Sequence, residues 1–267
     1  IPGNTWLGVT GNNFGSNYGI KSDGTLWAWG ANEYGALGLN DVVHYSSPVQ
    51  IPGTTWKQVT GFGGWGGGGA AVKTDGTLWT WGANNQGMLG INSSGTEGGA
   101  DGNRSSPVQV PGTTWDVVVG PVHVATLFAR RTDGTLWTWG QSDSGARGDN
   151  SPAARSSPNQ IGSDTTWSKH IGGHGNAGGA IKTDGTLWMW GQNQFGQLGR
   201  NNTTNPGGVS SPIQVPGTTW SSFVGTSNPA AYSVSTYKWV LATKTDGTLW
   251  AWGPNAQGEL GQNNTTT

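Results

Sequence analysis

Cysteine is absent from all 267 residues. That excludes disulfide staples and thiolate-ligated metal centres, and it leaves the redox compartment open. Charge is scarce as well: 13 basic and 14 acidic residues make up 10% of the chain, for a formal net charge of −1. The basic residues are dispersed, whereas a nucleic-acid or anionic-membrane surface needs them clustered. No apolar run approaches the roughly 20 residues that a transmembrane helix needs. No stretch sustains an apolar period near 3.6, so almost no helix is expected. The chain begins at Ile1 rather than Met and shows no signal-peptide pattern, as a processed or partial product would.

What is abundant is glycine, at 49 residues, and tryptophan, at 17. High glycine alone suggests disorder, but disordered chains are poor in aromatics. The glycine therefore reads as turn chemistry between short strands. Tryptophan supplies the buried area, about 150–250 Å² for each large aromatic ring.

Five decapeptides are nearly identical: KSDGTLWAWG from Lys21, KTDGTLWTWG from Lys73, RTDGTLWTWG from Arg131, KTDGTLWMWG from Lys182 and KTDGTLWAWG from Lys244. A second marker, Thr-Trp, recurs at Trp6, Trp56, Trp115, Trp167 and Trp220, at spacings of 50, 59, 52 and 53 residues. The array thus has five units, approximately 1–50, 51–109, 110–160, 161–214 and 215–267, read as one domain. That period is far too long for heptads and suits a four-stranded propeller blade. Within each unit, Asp-Gly is a favoured hairpin turn, flanked by strands. The two tryptophans after it, such as Trp79 and Trp81, share one strand face and are expected to pack between blades, with Leu78 on the other face. A polar turn ending Gly-x-Leu-Gly follows, then a Ser-Ser-Pro-x-Gln segment suited to an edge strand.

The combined pattern, Asp-Gly-x-Leu-Trp-x-Trp-Gly-x-Asn-x-x-Gly-x-Leu-Gly, resembles the repeat of the regulator of chromosome condensation family over essentially the whole chain. The resemblance implies an all-β propeller of four-stranded antiparallel blades. Family rings commonly have seven blades, so five units either close a small ring or form a stretch of a longer protein. It also implies a hydrogen-bonding histidine after the glycine of one strand, a place held by His174 and His123.

No catalytic, cofactor or metal site is expected. The Asp-Gly aspartates and their neighbouring Lys or Arg belong to hairpins, and the other carboxylates are scattered over different loops. His170 and His174 are four apart but glycine-flanked, against the helix such a ligand pair needs. Gly61 to Gly66 formally matches a dinucleotide fingerprint, yet a strand follows it rather than a helix N-terminus. In unit three, Arg147 replaces the usual Leu, which predicts a re-routed turn and spells Arg147-Gly148-Asp149, the integrin-type tripeptide. The candidate partner-binding residues are Glu97 and Asp101 in a lengthened loop, Arg147, Asp149, and Tyr232, Tyr237 and Trp239 in an aromatic insertion, because insertions in repeat arrays map to binding loops.

The expected function is a non-enzymatic interaction or structural module at an extracellular or virion surface, such as a phage tail or capsid decoration, binding a protein or glycan. The alternative is an intracellular regulator resembling a nucleotide-exchange factor for a small GTPase. An enzyme-inhibiting propeller is a third reading, and a lectin or polysaccharide-cleaving enzyme a fourth.

Overall fold

The computed structural model describes residues 5–64, 66–93, 102–121, 125–174, 176–203, 207–225 and 239–265. Glu97, Asp101, Tyr232, Tyr237 and His123 lie outside the described residues. The chain forms five antiparallel sheets in sequence order, each a meander. The first holds β1 (Trp6–Gly11), β2 (Ser16–Lys21), β3 (Leu26–Gly30) and β4 (Tyr45–Ile51). The second holds β5 (Trp56–Phe62), β6 (Gly68–Lys73), β7 (Leu78–Gly82) and β8 (Arg104–Val110). The third holds β9 (Trp115–Val119), β10 (Thr126–Arg131), β11 (Leu136–Gly140) and β12 (Arg155–Gln160). The fourth holds β13 (Trp167–His174), β14 (Ala177–Lys182), β15 (Leu187–Gly191) and β16 (Val209–Gln214). The fifth has three described strands, β17 (Trp220–Gly225), β18 (Val240–Lys244) and β19 (Leu249–Trp252). Helix among the described residues is limited to two single 3₁₀ turns, at 33–35 and 143–145.

Contacts divide the chain into two compact units. One comprises residues 1–133, 137–141 and 154–159; the other comprises 134–136, 142–153 and 160–267. The first unit has two buried clusters, built around Trp81 with Leu26 and Ile51, and around Trp139 with Phe62, Leu78 and Leu127. The second has one, around Leu187, Met189 and Trp220.

The decapeptide explains the hairpins atom by atom. In the second sheet the Lys73 N–H donates to Thr77 O, and the Asp75 carboxylate accepts the Thr77 N–H at 2.9 Å and its hydroxyl at 2.7 Å. Thr77 Oγ1 in turn accepts the Trp79 indole N–H at 2.9 Å. The same relay runs through Asp23, Thr25 and Trp27, through Asp184, Thr186 and Trp188, and through Asp246, Thr248 and Trp250. Lys73 Nζ lies 4.6 Å from the Trp56 ring and 4.5 Å from the Trp79 ring, a cation held by two indole faces. Lys21, Arg131, Lys182 and Lys244 occupy equivalent positions.

These bonds hold the four turn aspartates below the usual carboxylate range, for Asp75 chiefly through the Thr77 hydroxyl and for Asp246 chiefly through the Thr248 amide. Asp23 and Asp184 are lowered by the hydroxyls of Thr25 and Thr186. A carboxyl with a depressed folded-state pKa contributes stability above its unfolded pKa and loses it as pH falls through the folded value. Stability should therefore drop on acidification below the ordinary Asp range. The Asp75→Asn variant should show a shallower acid limb in urea titrations at a series of pH values, and an unchanged limb would contradict the role.

The paired tryptophans divide their polar contacts, while Trp79 and Trp137 also pack against core clusters that span neighbouring sheets. The first of each pair sandwiches the cation within its own sheet. The second ties its repeat to the one before: Trp81 Nε1 donates to Ala36 O at 3.0 Å, Trp139 to Met88 O at 2.8 Å, Trp190 to Ala146 O at 2.9 Å and Trp252 to Gln197 O at 2.8 Å. Ala36 O also accepts the buried Tyr18 hydroxyl.

Candidate interaction surfaces

In four of the five repeats the polar turn after Trp-Gly is organised by the asparagine of the Trp-Gly-x-Asn pattern, a role that the pattern alone does not reveal. Asn32 accepts the Leu37 N–H at 2.8 Å and donates to Asp41 O at 3.1 Å. Asn84, Asn193 and Asn255 do the same for Leu89, Leu198 and Leu260. Its position, three residues after each second tryptophan, was the available signal. The third repeat has Ser142 there, which donates to Ser151 O at 2.8 Å.

Arg147 is fully buried, and its guanidinium lies 3.0 Å from an Asp149 carboxylate whose side chain is also 0% exposed. Arg147 donates to Ser151 O as well, at 3.4 Å. Two expectations are corrected here. The turn is not re-routed: the Gly148 N–H donates to Gly145 O at 3.0 Å, as Gly38 does to Gly35 and Gly199 to Gly196. Neither do Arg147 and Asp149 face a partner, because the tripeptide's two charges are spent on each other inside the turn. Of the other candidates, Trp239 precedes β18 and is half-buried.

His170 and His174 both lie in β13, a strand, so no helical ligand pair exists; His170 is exposed. Among the described residues no three His, Asp or Glu side chains converge as a metal site. No helix of the described residues is long and apolar enough to cross a membrane. The glycines of the false dinucleotide fingerprint serve close packing instead. A Cβ on Gly66, whose φ is +102°, would fall 2.5 Å from the Tyr34 ring.

Large apolar side chains stand exposed in both units. In the first, Phe14 (37%), Tyr34 (43%), Val42 (62%) and Val43 (56%) lie on connections between strands. A Cβ on Gly66 would fall 2.5 Å from the Tyr34 ring and one on Gly67 3.1 Å from the Phe14 ring, so both rings approach the same short glycine segment. Leu7 and Val9 project from β1, beside Lys57, Gln58 and Val59 of β5. Near them Asp116 pairs with Lys57 at 2.8 Å and Arg130 at 2.7 Å, so its charge is satisfied. In the second unit, a groove of about 740 Å³ is lined by Trp220, Trp250, Trp252, Val215, Lys244 and the turn from Phe195 to Thr203.

With this geometry in view, comparison with known proteins places the repeats. The model of the regulator of chromosome condensation (RCC1) repeat matches residues 23–62, 75–127 and 184–225, just over half of the chain. The ultraviolet-B receptor UVR8 of Arabidopsis thaliana is 27% identical over 91% of this chain and 52% of its own length. The mitochondrial RCC1 domain-containing protein RUG3 of Arabidopsis thaliana is 27% identical over 89% of this chain and 56% of its own. The chain therefore spans about half the length of these relatives. Among solved structures, Prp20p of Saccharomyces cerevisiae superposes with a TM-score of 0.73 at 15% identity, covering 94% of this chain and 59% of Prp20p. Five Asp-Gly hairpins with a caged cation, five antiparallel sheets and the matching repeat model make this chain a member of the RCC1 repeat family, with its β-propeller fold.

Proposed function

We propose that the chain is a non-catalytic protein-binding module that uses its inter-strand connections as the contact surface. The observation that carries this reading is the Phe14–Tyr34 pair: two partly exposed aromatic rings on inter-strand connections that approach the same Gly66–Gly67 segment. Rigid aromatics give large contact area at low entropic cost, which makes them anchors of interfaces. Prp20p, which shares the fold, is described by its binding to Gsp1p and histones, and it supports protein rather than glycan partners for this chain. The regulator reading, exchange-factor action on a small GTPase, fits these relatives better than a virion-surface role, for which they offer no support.

The test is direct binding of purified core histones and of a small GTPase, measured by calorimetry, with GTPase nucleotide release followed in parallel. Binding to at least one is expected, weakened about tenfold or more in the Phe14→Ser/Tyr34→Ser variant, since each lost apolar anchor is worth about 1.5–3 kcal/mol. Accelerated nucleotide release selects the regulator reading. Binding of neither protein, or binding indifferent to the double variant, sinks the proposed surface.

A further inference from the structure

The caged cations of the repeats differ in what closes the cage from outside. In the fourth repeat Lys182 Nζ lies 5.0 Å from the Trp167 ring and 4.2 Å from the Trp188 ring, and the Asp164 carboxylate caps it at 2.7 Å. Asp164 stands in the loop before β13, which reads Gly162-Ser163-Asp164-Thr165-Thr166. The corresponding loops of the second and third repeats are shorter, Pro52-Gly53-Thr54-Thr55 and Pro111-Gly112-Thr113-Thr114. Pro-Gly stands there in place of Gly-Ser-Asp, and the carboxylate lid is missing with it.

The cation beneath is held in the same way. Lys73 Nζ is 4.6 Å from the Trp56 ring and 4.5 Å from the Trp79 ring, and the Arg131 guanidinium is 4.6 Å from Trp115 and 4.0 Å from Trp137. Gly53 and Gly112, both exposed, stand beside it with φ of +112° and +109°. A Cβ on Gly53 would lie 3.7 Å from Lys73 Nζ and one on Gly112 3.4 Å from Arg131 Nη2, so a residue without a side chain is all that covers the cation there. The hairpin's own Asp75 is turned onto the Thr77 amide and hydroxyl instead. Among the described residues no carboxylate forms an ion pair with Lys73 or Arg131, and Arg131 Nε is buried without an acceptor. A cation already stripped of part of its water by two indole faces has less hydration left to lose to a carboxylate. Lys73 and Arg131 lie in consecutive repeats of the first compact unit.

We propose that the two open cages, at Lys73 and Arg131, are acceptor sites for the carboxylates of an acidic polypeptide segment, which takes the place that Asp164 holds at Lys182. The intramolecular lid specifies the occupant: a carboxylate on a stretch of small polar residues, laid over the open side of the cation. One exposed ion pair contributes little by itself. Two cages on consecutive repeats let one segment engage both, and linkage multiplies the weak contacts. The formal net charge of −1 gives the chain no general attraction for a polyanion, so binding has to come from local cations such as these. The site shares no residue with the Phe14–Tyr34 surface and stands or falls independently of it.

The probe is poly-L-glutamate, titrated into the 267-residue protein at low ionic strength and followed by calorimetry. Saturable binding is expected, together with protection of Lys73 from acetylation by an N-hydroxysuccinimide ester, read by mass spectrometry. Lys182, already capped, should react slowly with or without the polymer. Replacing Pro52–Gly53 and Pro111–Gly112 each by Gly-Ser-Asp transplants the lid of the fourth repeat, a loop that this fold already accommodates. The melting curve should match wild type, and the polymer should bind about tenfold more weakly or worse. In the opposite sense, Asp164→Ala changes a side chain half in solvent. It should speed acetylation of Lys182 and bring that lysine under the polymer's protection. Absence of saturable binding, binding indifferent to the transplanted lids, or Lys73 left unprotected by bound polymer would each overturn the proposal. Equal binding of inorganic polyphosphate would show that any polyanion serves, and displacement by acetate at the same carboxylate concentration would assign the site to a small free carboxylate; either result overturns it as well.

Discussion

Replacing Arg147 with leucine, the residue that four of the five repeats carry at this position, will destabilise the protein rather than restore it to type. The substitution removes one partner of an ion pair whose two side chains are fully buried, and it strands the Asp149 carboxylate in the turn. Breaking a buried pair from one side costs about 3–5 kcal/mol, because the remaining charge is uncompensated. The companion change decides whether this account is correct. In the first repeat the positions of Arg147 and Asp149 are held by Leu37 and Leu39, and in the second by Leu89 and Ile91. The Arg147→Leu/Asp149→Leu double variant should therefore regain wild-type stability or exceed it by about 1–4 kcal/mol, as apolar replacements of buried pairs often do. Urea denaturation of the two variants measures the difference. If the single variant is as stable as wild type, or the double variant is no better than the single, the pair does not hold the turn.

The Trp139→Ala variant should suffer a loss of similar size by a different route. Trp139 is completely buried, stands edge-on to Trp115 at 6.2 Å and donates its indole N–H to Met88 O at 2.8 Å. It is also the wall against which the Gly90 turn closes, for a Cβ on Gly90 would lie 2.8 Å from Trp139 Nε1. Truncation removes this packing and leaves a cavity, at a cost of about 3–5 kcal/mol. At about 2–4 °C per kcal/mol for a chain approaching this length, the melting temperature should fall by roughly 6–20 °C. Trp139→Phe keeps most of the volume but orphans the Met88 carbonyl, and it should lose about 1–3 kcal/mol. A melting curve unchanged by Trp139→Ala would show that the inter-repeat tie carries no stability.

The hairpins were readable because their information is local. Asp-Gly fixes the turn, and the alternation of Leu78, Trp79, Thr80 and Trp81 fixes which side chains share a face. The sheets follow from five repetitions of that text. The different duties of Trp79 and Trp81 were not readable, because both lie on one face and differ only in what approaches them: Lys73 and Thr77 from the same hairpin, or Ala36 from a turn 45 residues earlier. Arg147 was misread for a related reason. Its departure from the repeat was visible, but its fate depends on a carboxylate two residues away facing inward, and spacing in the sequence does not reveal direction. The loop residues Glu97, Asp101, Tyr232 and Tyr237 fall outside the described structure.

The indole-to-carbonyl tie has a bearing on how such arrays can be cut and recombined. Because Trp81, Trp139, Trp190 and Trp252 each lean on a carbonyl of the repeat before, neither the written repeat nor the hydrogen-bonded sheet is the self-sufficient piece. The self-sufficient piece is staggered: a sheet together with the Gly-x-Leu-Gly turn borrowed from its predecessor. A gene-level duplication or a designed chimera that joins repeats at the Thr-Trp boundary carries each tryptophan away from its own acceptor. It works only where the new neighbour offers a carbonyl in the same place, and the shared Gly-x-Leu-Gly turn is what makes neighbours interchangeable.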